Sequence, residues 1–119
     1  MLPFTGENIH MVDPETGVDY ECRQSTDETE IELVEFEMNF ESNVERRMAI
    51  FKSSEREYRK WINGHIDIIL RGWSCGNKAV PLPAFPDKNP SAKMPGTLKM
   101  KILNWWNAQK NFSLDDIKN

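Results

Sequence analysis

The stretch Ser54–Trp73, SEREYRKWINGHIDIILRGW, decides how the rest of the chain is read. Tyr58, Trp61, Ile62, His65, Ile66, Ile69 and Leu70 advance by threes and fours, so they share one helical face. Ser54 with Glu57 three residues on has the form of a capping box. Gly72 stands where a left-handed C-terminal position suits glycine. The spacing predicts a helix over 54–73 at the centre of the core, with function on the elements packed around it. Gly64 in its interior costs about 1 kcal/mol relative to alanine, and it points to a close approach by a neighbouring element.

Working outward, the chain before this helix divides in two. Ile9–Val12 and Val18–Arg23 flank Asp13-Pro14-Glu15-Thr16-Gly17, where proline sets φ early and Gly17 suits the positive φ that closes a hairpin. A hairpin alone is marginal in water, so it must lie against a helix or join another sheet. Ser25 or Thr26 then offers an N-cap, with Asp27 and Glu28 favouring a helix N-terminus. The run Thr29–Phe40 fits two patterns. By twos, Ile31, Leu33, Phe36, Met38 and Phe40 nearly alternate with glutamates. As a helix, Leu33, Phe36, Phe40, Val44, Met48 and Phe51 form a continuous stripe with Val34 and Met38 beside it. The helical pattern is longer and starts at a cap, so helix is expected. Lys52-Ser53-Ser54 forms a seam, and the cap at Ser54 argues for a new helix there.

After Trp73, the stretch to Pro95 holds Pro81, Pro83, Pro86, Pro90 and Pro95, five of the seven prolines. It forms no ordinary helix or central strand. Val80, Leu82, Phe85 and Met94 suggest a loop laid over the core, and a loop of this length is often a partner contact. Thr97 caps a last helix, with Leu98, Ile102, Trp105 and Gln109 in line and Leu103 and Trp106 on its shoulders; Ser113–Ile117 reads as one further turn. The expected fold is therefore mainly α: one domain, 1–119, with a β-hairpin region (1–23), helices (26–73), a proline-rich loop (74–96), and a C-terminal helix and tail (97–119).

At 119 residues the chain is long enough for one hydrophobic core. No apolar run approaches the roughly 18 residues of a membrane span, and MLPFTGENIH lacks the basic start and apolar centre of a secretory signal; a cytoplasmic location is expected. Cys22 and Cys75 fit no dense disulfide framework and read as free thiols. Cys22, Cys75, His10 and His65 lack the paired spacings of a zinc site, so no metal or other cofactor is expected. The net charge of −4 conceals a division. Residues 1–45 carry thirteen acids and one base, Arg23, whereas residues 46–119 carry fourteen bases and six acids. The plain reading is that the halves neutralise one another; the other is that one of them meets a partner of opposite sign.

No GxxxxGK[ST], HExxH, GxSxG or CxxC motif is present. His65 on an apolar face reads as a hydrogen-bonded core histidine, and solvated glutamates do not make an acid–base pair. The chain is therefore expected to be no enzyme. Arg46, Arg47, Lys52, Arg56, Arg59 and Lys60, interleaved with Tyr58 and Trp61, have the makings of a nucleic-acid surface, but the two aromatics belong to the core stripe. Seven glutamates between Glu28 and Glu45 admit mimicry of a DNA backbone, with Glu32, Glu35 and Glu37 on the acidic face. Trp61, Trp73, Trp105 and Trp106 are many tryptophans for this length. Adjacent helical positions differ by about 100°, so Trp105 and Trp106 cannot both face one core. The exposed one, with Leu82, Phe85 and Met94, is the expected partner surface.

Four features in order, VDPETGVDYECR, an acidic helix after Ser25-Thr26, HIDIILRGW leading into a proline-rich loop, and LKMKILNWWN with a short polar tail, give a layout that resembles the tail assembly chaperones of long-tailed bacteriophages. The resemblance covers most of the chain and lies in layout, no single motif being diagnostic. It implies a small, mainly helical, non-enzymatic protein of the infected host's cytoplasm that binds the tape-measure protein and brings tail-tube subunits to it, with self-association as a further option. In many members a ribosomal frameshift near the end adds a second domain, and Ile117-Lys118-Asn119 is compatible with slippery A-rich codons. No catalytic residues are implied. The alternative is an acidic, DNA-mimicking phage inhibitor of a host nucleic-acid enzyme.

Overall fold

A computed structural model describes the backbone of residues 8–51, 54–75 and 82–118, and the side chains of 8–43, 55–75 and 82–109. In chain order it holds β1 (Ile9–Val12), β2 (Asp19–Cys22), α1 (Asp27–Phe51), α2 (Ser54–Ile69), β3 (Leu70–Ser74), a 3-10 turn (Pro90–Lys93) and α3 (Gly96–Lys118). The strands form one antiparallel sheet in the order β1-β2-β3. Three helices on a three-stranded sheet make a mixed α and β fold, which corrects the mainly α class. The expected hairpin is present, and Thr29–Phe40 is helix. The seam at Lys52-Ser53 and the loop residue Val80 lie outside the described residues.

The hairpin closes as its residues dictate. Gly17 takes φ 75°, a conformation glycine adopts without penalty. Its N–H donates to the Asp13 carbonyl at 2.7 Å, and the Asp13 N–H donates to Val18 O at 2.9 Å. The buried Asp13 carboxylate accepts the Glu15 N–H at 3.0 Å and Lys101 Nζ at 3.1 Å, tying the turn to α3. Chiefly the Glu15 N–H, and then Lys101 working against burial, hold this carboxyl below its usual range.

The third strand corrects the reading of 54–73 as one helix. α2 ends at Ile69, and Gly72 makes no left-handed cap, Gly17 being the glycine with positive φ among the described residues. The end of α2 is met from outside. Arg23 donates its backbone N–H to Ile69 O at 2.8 Å and its guanidinium to Ile68 O at 3.4 Å. Carbonyls that a glycine turn would otherwise satisfy therefore have partners, and the chain passes directly into β3. Leu70 pairs with Cys22 and Trp73 with Tyr20, with an irregularity in the ladder between Glu21 and Cys22. One extra residue on β3 is the geometry of a bulge. It lets Leu70 and Trp73, three apart, both stand opposite the buried positions of β2.

The helices α1 and α2 pack antiparallel. Phe40 meets Trp61 with ring centroids 5.3 Å apart, and Phe36, one turn earlier, meets His65 at 5.2 Å. Between them the Phe36 ring lies on Gly64, where an added Cβ would fall well inside 3 Å of the ring. The expected close approach is therefore an aromatic face on bare backbone. Thr26 caps α1 by accepting the Thr29 N–H on its hydroxyl at 3.4 Å. Tyr58, read as part of the core stripe, is instead 56% exposed.

The core joins sheet and helices. Met11, Tyr20, Cys22 and Leu70 from the strands pack in one cluster with Ile66 and Ile69 of α2 and Ile102, Leu103 and Trp106 of α3. The Trp106 indole N–H donates to Arg23 O at 2.8 Å, which satisfies its one polar atom inside the core. α3 runs unbroken to Lys118, so the turn at Ser113–Ile117 belongs to it. The described part of the proline-rich segment lies over the core, as expected. The Ser91 N–H and hydroxyl donate to the Asp67 carboxylate at 3.0 and 3.1 Å, and Trp73 donates to Pro83 O at 2.8 Å.

Gly64→Ala should lower unfolding free energy by about 1–3 kcal/mol in urea titrations through overpacking, although helix propensity alone predicts a gain of about 1 kcal/mol. In a Phe36→Leu background the same change should cost less. For Asp13, a depressed folded-state pKa means that the charge stabilises above the ordinary 3.8 and ceases to do so as acid carries the group through its lowered value. Asp13→Asn should therefore melt earlier than the parent at neutral pH, and the two should converge on acidification.

Candidate protein-binding surface

α1 is apolar on two sides. Leu33, Phe36 and Phe40 face α2 and the core. Ile31, Val34 and Met38, again spaced by three and four, lie on the opposite side and are 57%, 48% and 65% exposed. Exposed Asp27 and Glu35 border this stripe together with Glu30, around a shallow hollow that includes Ile31 and Val34. An apolar stripe at solvent with charged edges has the character of an interaction surface.

Val34 also belongs to a groove of about 370 Å³ between α1 and α3. Its floor is Trp61, Ile62 and Ile69 of α2; Met100 and Leu103 line the α3 side, with Asn104 and Asn107 at the rim. A wider hollow of about 900 Å³ lies at the β2–α1 junction, but its lining is polar and its Arg23 and Glu32 are ion-paired with each other. The α1–α3 groove is lined in part by apolar side chains and in part by polar ones, Glu30 and Glu37 on the α1 side, His65 of α2, and Asn104 and Asn107 on the α3 side.

His65 sits in the same groove with both ring nitrogens engaged. Nδ1 lies 2.7 Å from Trp61 O and Nε2 lies 2.9 Å from Glu37 Oε1. A carbonyl and a carboxylate are both acceptors, so the two bonds coexist when the ring carries both protons. The residue is a hydrogen-bonded histidine packed edge-on to Phe36, as its place in the stripe suggests.

The partner residues expected from sequence separate. Trp106 is 3% and Met94 9% exposed, both within the core cluster. Trp105 is the more open member of the tandem pair and half-buried. Leu82 and Phe85 are also half-buried, with Phe85 stacked edge-on to Trp73 at 4.7 Å. Of the acidic set, Glu32 binds Arg23 and Glu37 binds His65, while Glu35 is exposed beside the stripe. Sequence reasoning missed the stripe itself by counting Val34 and Met38 with the core. Its signal was the double reading of Thr29–Phe40: a helix apolar on opposite sides yields apolar residues at steps of two as well as four.

Among the described residues no three of His, Cys, Asp and Glu come together as a metal site. Neither cysteine is in a disulfide; Cys22 is fully buried and Cys75 half-buried. They stand at opposite ends of the β2–β3 ladder, since Cys22 pairs with Leu70 and Ser74 with Asp19. Comparison with models of known families, with curated proteins and with solved structures finds no match for the chain. Burial pushes the Cys22 thiol up to about 12, with the Glu21 and Asp19 charges adding to it. At neutral pH an alkylating reagent should therefore modify Cys75 in the native protein and Cys22 only as the protein unfolds, which peptide mass mapping against denaturant will read.

Proposed function

We propose that this chain is a non-enzymatic binding protein, and that it serves as a tail assembly chaperone of a long-tailed bacteriophage in the cytoplasm of the infected host. One observation carries the binding role: the stripe Ile31, Val34 and Met38 stands at solvent on the side of α1 opposite its packed face, edged by carboxylates. A helix buried on one side alone needs no second apolar stripe, so the second one supports a partner. The order of hairpin, acidic helix, proline-rich loop and tryptophan-bearing helix supports the assembly role. No helix among the described residues is long and apolar enough to cross a membrane. On this reading the partners are a tape-measure protein and tail-tube subunits, with no cofactor.

Co-expression of the tagged full chain with the products of its flanking genes tests the proposal. A tail-tube-like and a long, helical tape-measure-like protein should copurify with it. Capture of a host DNA- or RNA-processing enzyme instead, lost on reversing charge at Glu32, Glu35 and Glu37, would overturn the chaperone reading in favour of an inhibitor.

A further inference from the structure

We propose that the track formed by the apolar α1 stripe and the α1–α3 groove, with its carboxylates on the α1 side, receives an amphipathic helix with basic residues along one flank. This deepens the binding role proposed above and rests on it. The two features are continuous, because Val34 belongs to both. Their rims differ in charge. On the α1 side stand Asp27, Glu30, Glu35 and Glu37, the last bonded to His65 in the groove; on the α3 side stand Asn104 and Asn107, which carry none. An occupant matched to this rim carries lysine or arginine along the flank beside α1 and uncharged polar residues along the flank beside α3.

The shape of the track selects a helix. Its walls are helices whose mid-helix backbone groups bond internally, so it offers no row of donors and acceptors to an extended peptide. An extended segment would bury its own backbone polar groups unpaired, whereas a helix arrives with them satisfied. A second copy of this chain is disfavoured by charge: among the described residues neither feature is lined by a lysine or arginine, so a second track brings no base to the α1 carboxylates.

The probe is a labelled synthetic helix of leucine, alanine and lysine, with the lysines along one flank, titrated into the full chain by fluorescence anisotropy. It should bind with an affinity that falls as salt is added. A glutamate-flanked analogue and a scramble of the same composition should each bind about tenfold more weakly or worse. Val34→Asp, at a half-exposed position, should leave the melting curve unchanged and weaken the lysine peptide about tenfold. Glu35→Lys should move preference toward the glutamate analogue, and it tests the rim independently should Val34→Asp disturb folding. Equal binding of the scramble, indifference to both variants, or a dimer in sedimentation that Val34→Asp dissociates would overturn the proposal, the last by assigning the track to a second copy. Capture of the flanking gene products undiminished in Val34→Asp would also overturn it while leaving the binding role standing. Binding of the peptide at the track without capture of those products would leave this inference standing and overturn the tail-assembly reading.

Discussion

The fold turns on Arg23, the one base among the first forty-five residues. It follows β2, and four elements meet on it. Its backbone N–H and guanidinium take the last carbonyls of α2, its guanidinium pairs with Glu32 of α1, and its own carbonyl accepts the Trp106 indole of α3. A helix end closed from outside needs no turn of its own, so the residue after α2 is already strand. The sheet thereby gains β3, and the hairpin, too small to persist alone, becomes part of a three-stranded face with a core behind it. A single guanidinium nitrogen, Nη1, serves both the Glu32 carboxylate and the Ile68 carbonyl, so α1 and the end of α2 are held at one point.

The second constraint is the close packing of α1 on α2. Phe36 lies on the bare backbone of Gly64, and Phe40, Trp61 and His65 continue the contact along the same face. Four ring systems within one seam fix α1 in rotation as well as in position. The helix cannot turn its other side inward without breaking that seam. Ile31, Val34 and Met38 are therefore held at solvent by the same packing that anchors the helix, and their exposure is a property of the fold.

Much of the architecture was legible because local chemistry and final structure agree. The hairpin follows from Pro14 and Gly17, α1 begins at Thr26 and Asp27, and Gly64 marked a real approach. The third strand was not legible, for a specific reason. Leu70 and Trp73 are three residues apart, which is helical spacing, and the bulge that gives this spacing a sheet meaning depends on pairing with β2. The end of α2 was likewise invisible, since its partner is Arg23, forty-six positions from Ile69 in the sequence. Periodicity reports which residues want a common side. It cannot report whether that side belongs to a helix continued or a strand begun when the stop signal comes from elsewhere.

The surface was less legible than the fold, because residue type stood in for exposure. The tandem tryptophans were read as facing different ways, yet Trp106 lies in the core and Trp105 is half-buried against it, so being aromatic says little about which ring stays open. Trp106 and Trp73 each found a backbone carbonyl for the indole N–H, and so could be taken inside or laid against the loop at small cost. Glu32, Glu35 and Glu37 read as one acidic face, but steps of three and two on a helix turn by about 300° and 200°. Two of the three are accordingly drawn to Arg23 and His65 on different neighbours. What survived as a surface is a stripe drawn from both patterns, Ile31 from the alternating one, Val34 from the helical one and Met38 from each. A segment that fits two periods at once is apolar on more sides than one core can cover, and in α1 that excess is what remains at solvent.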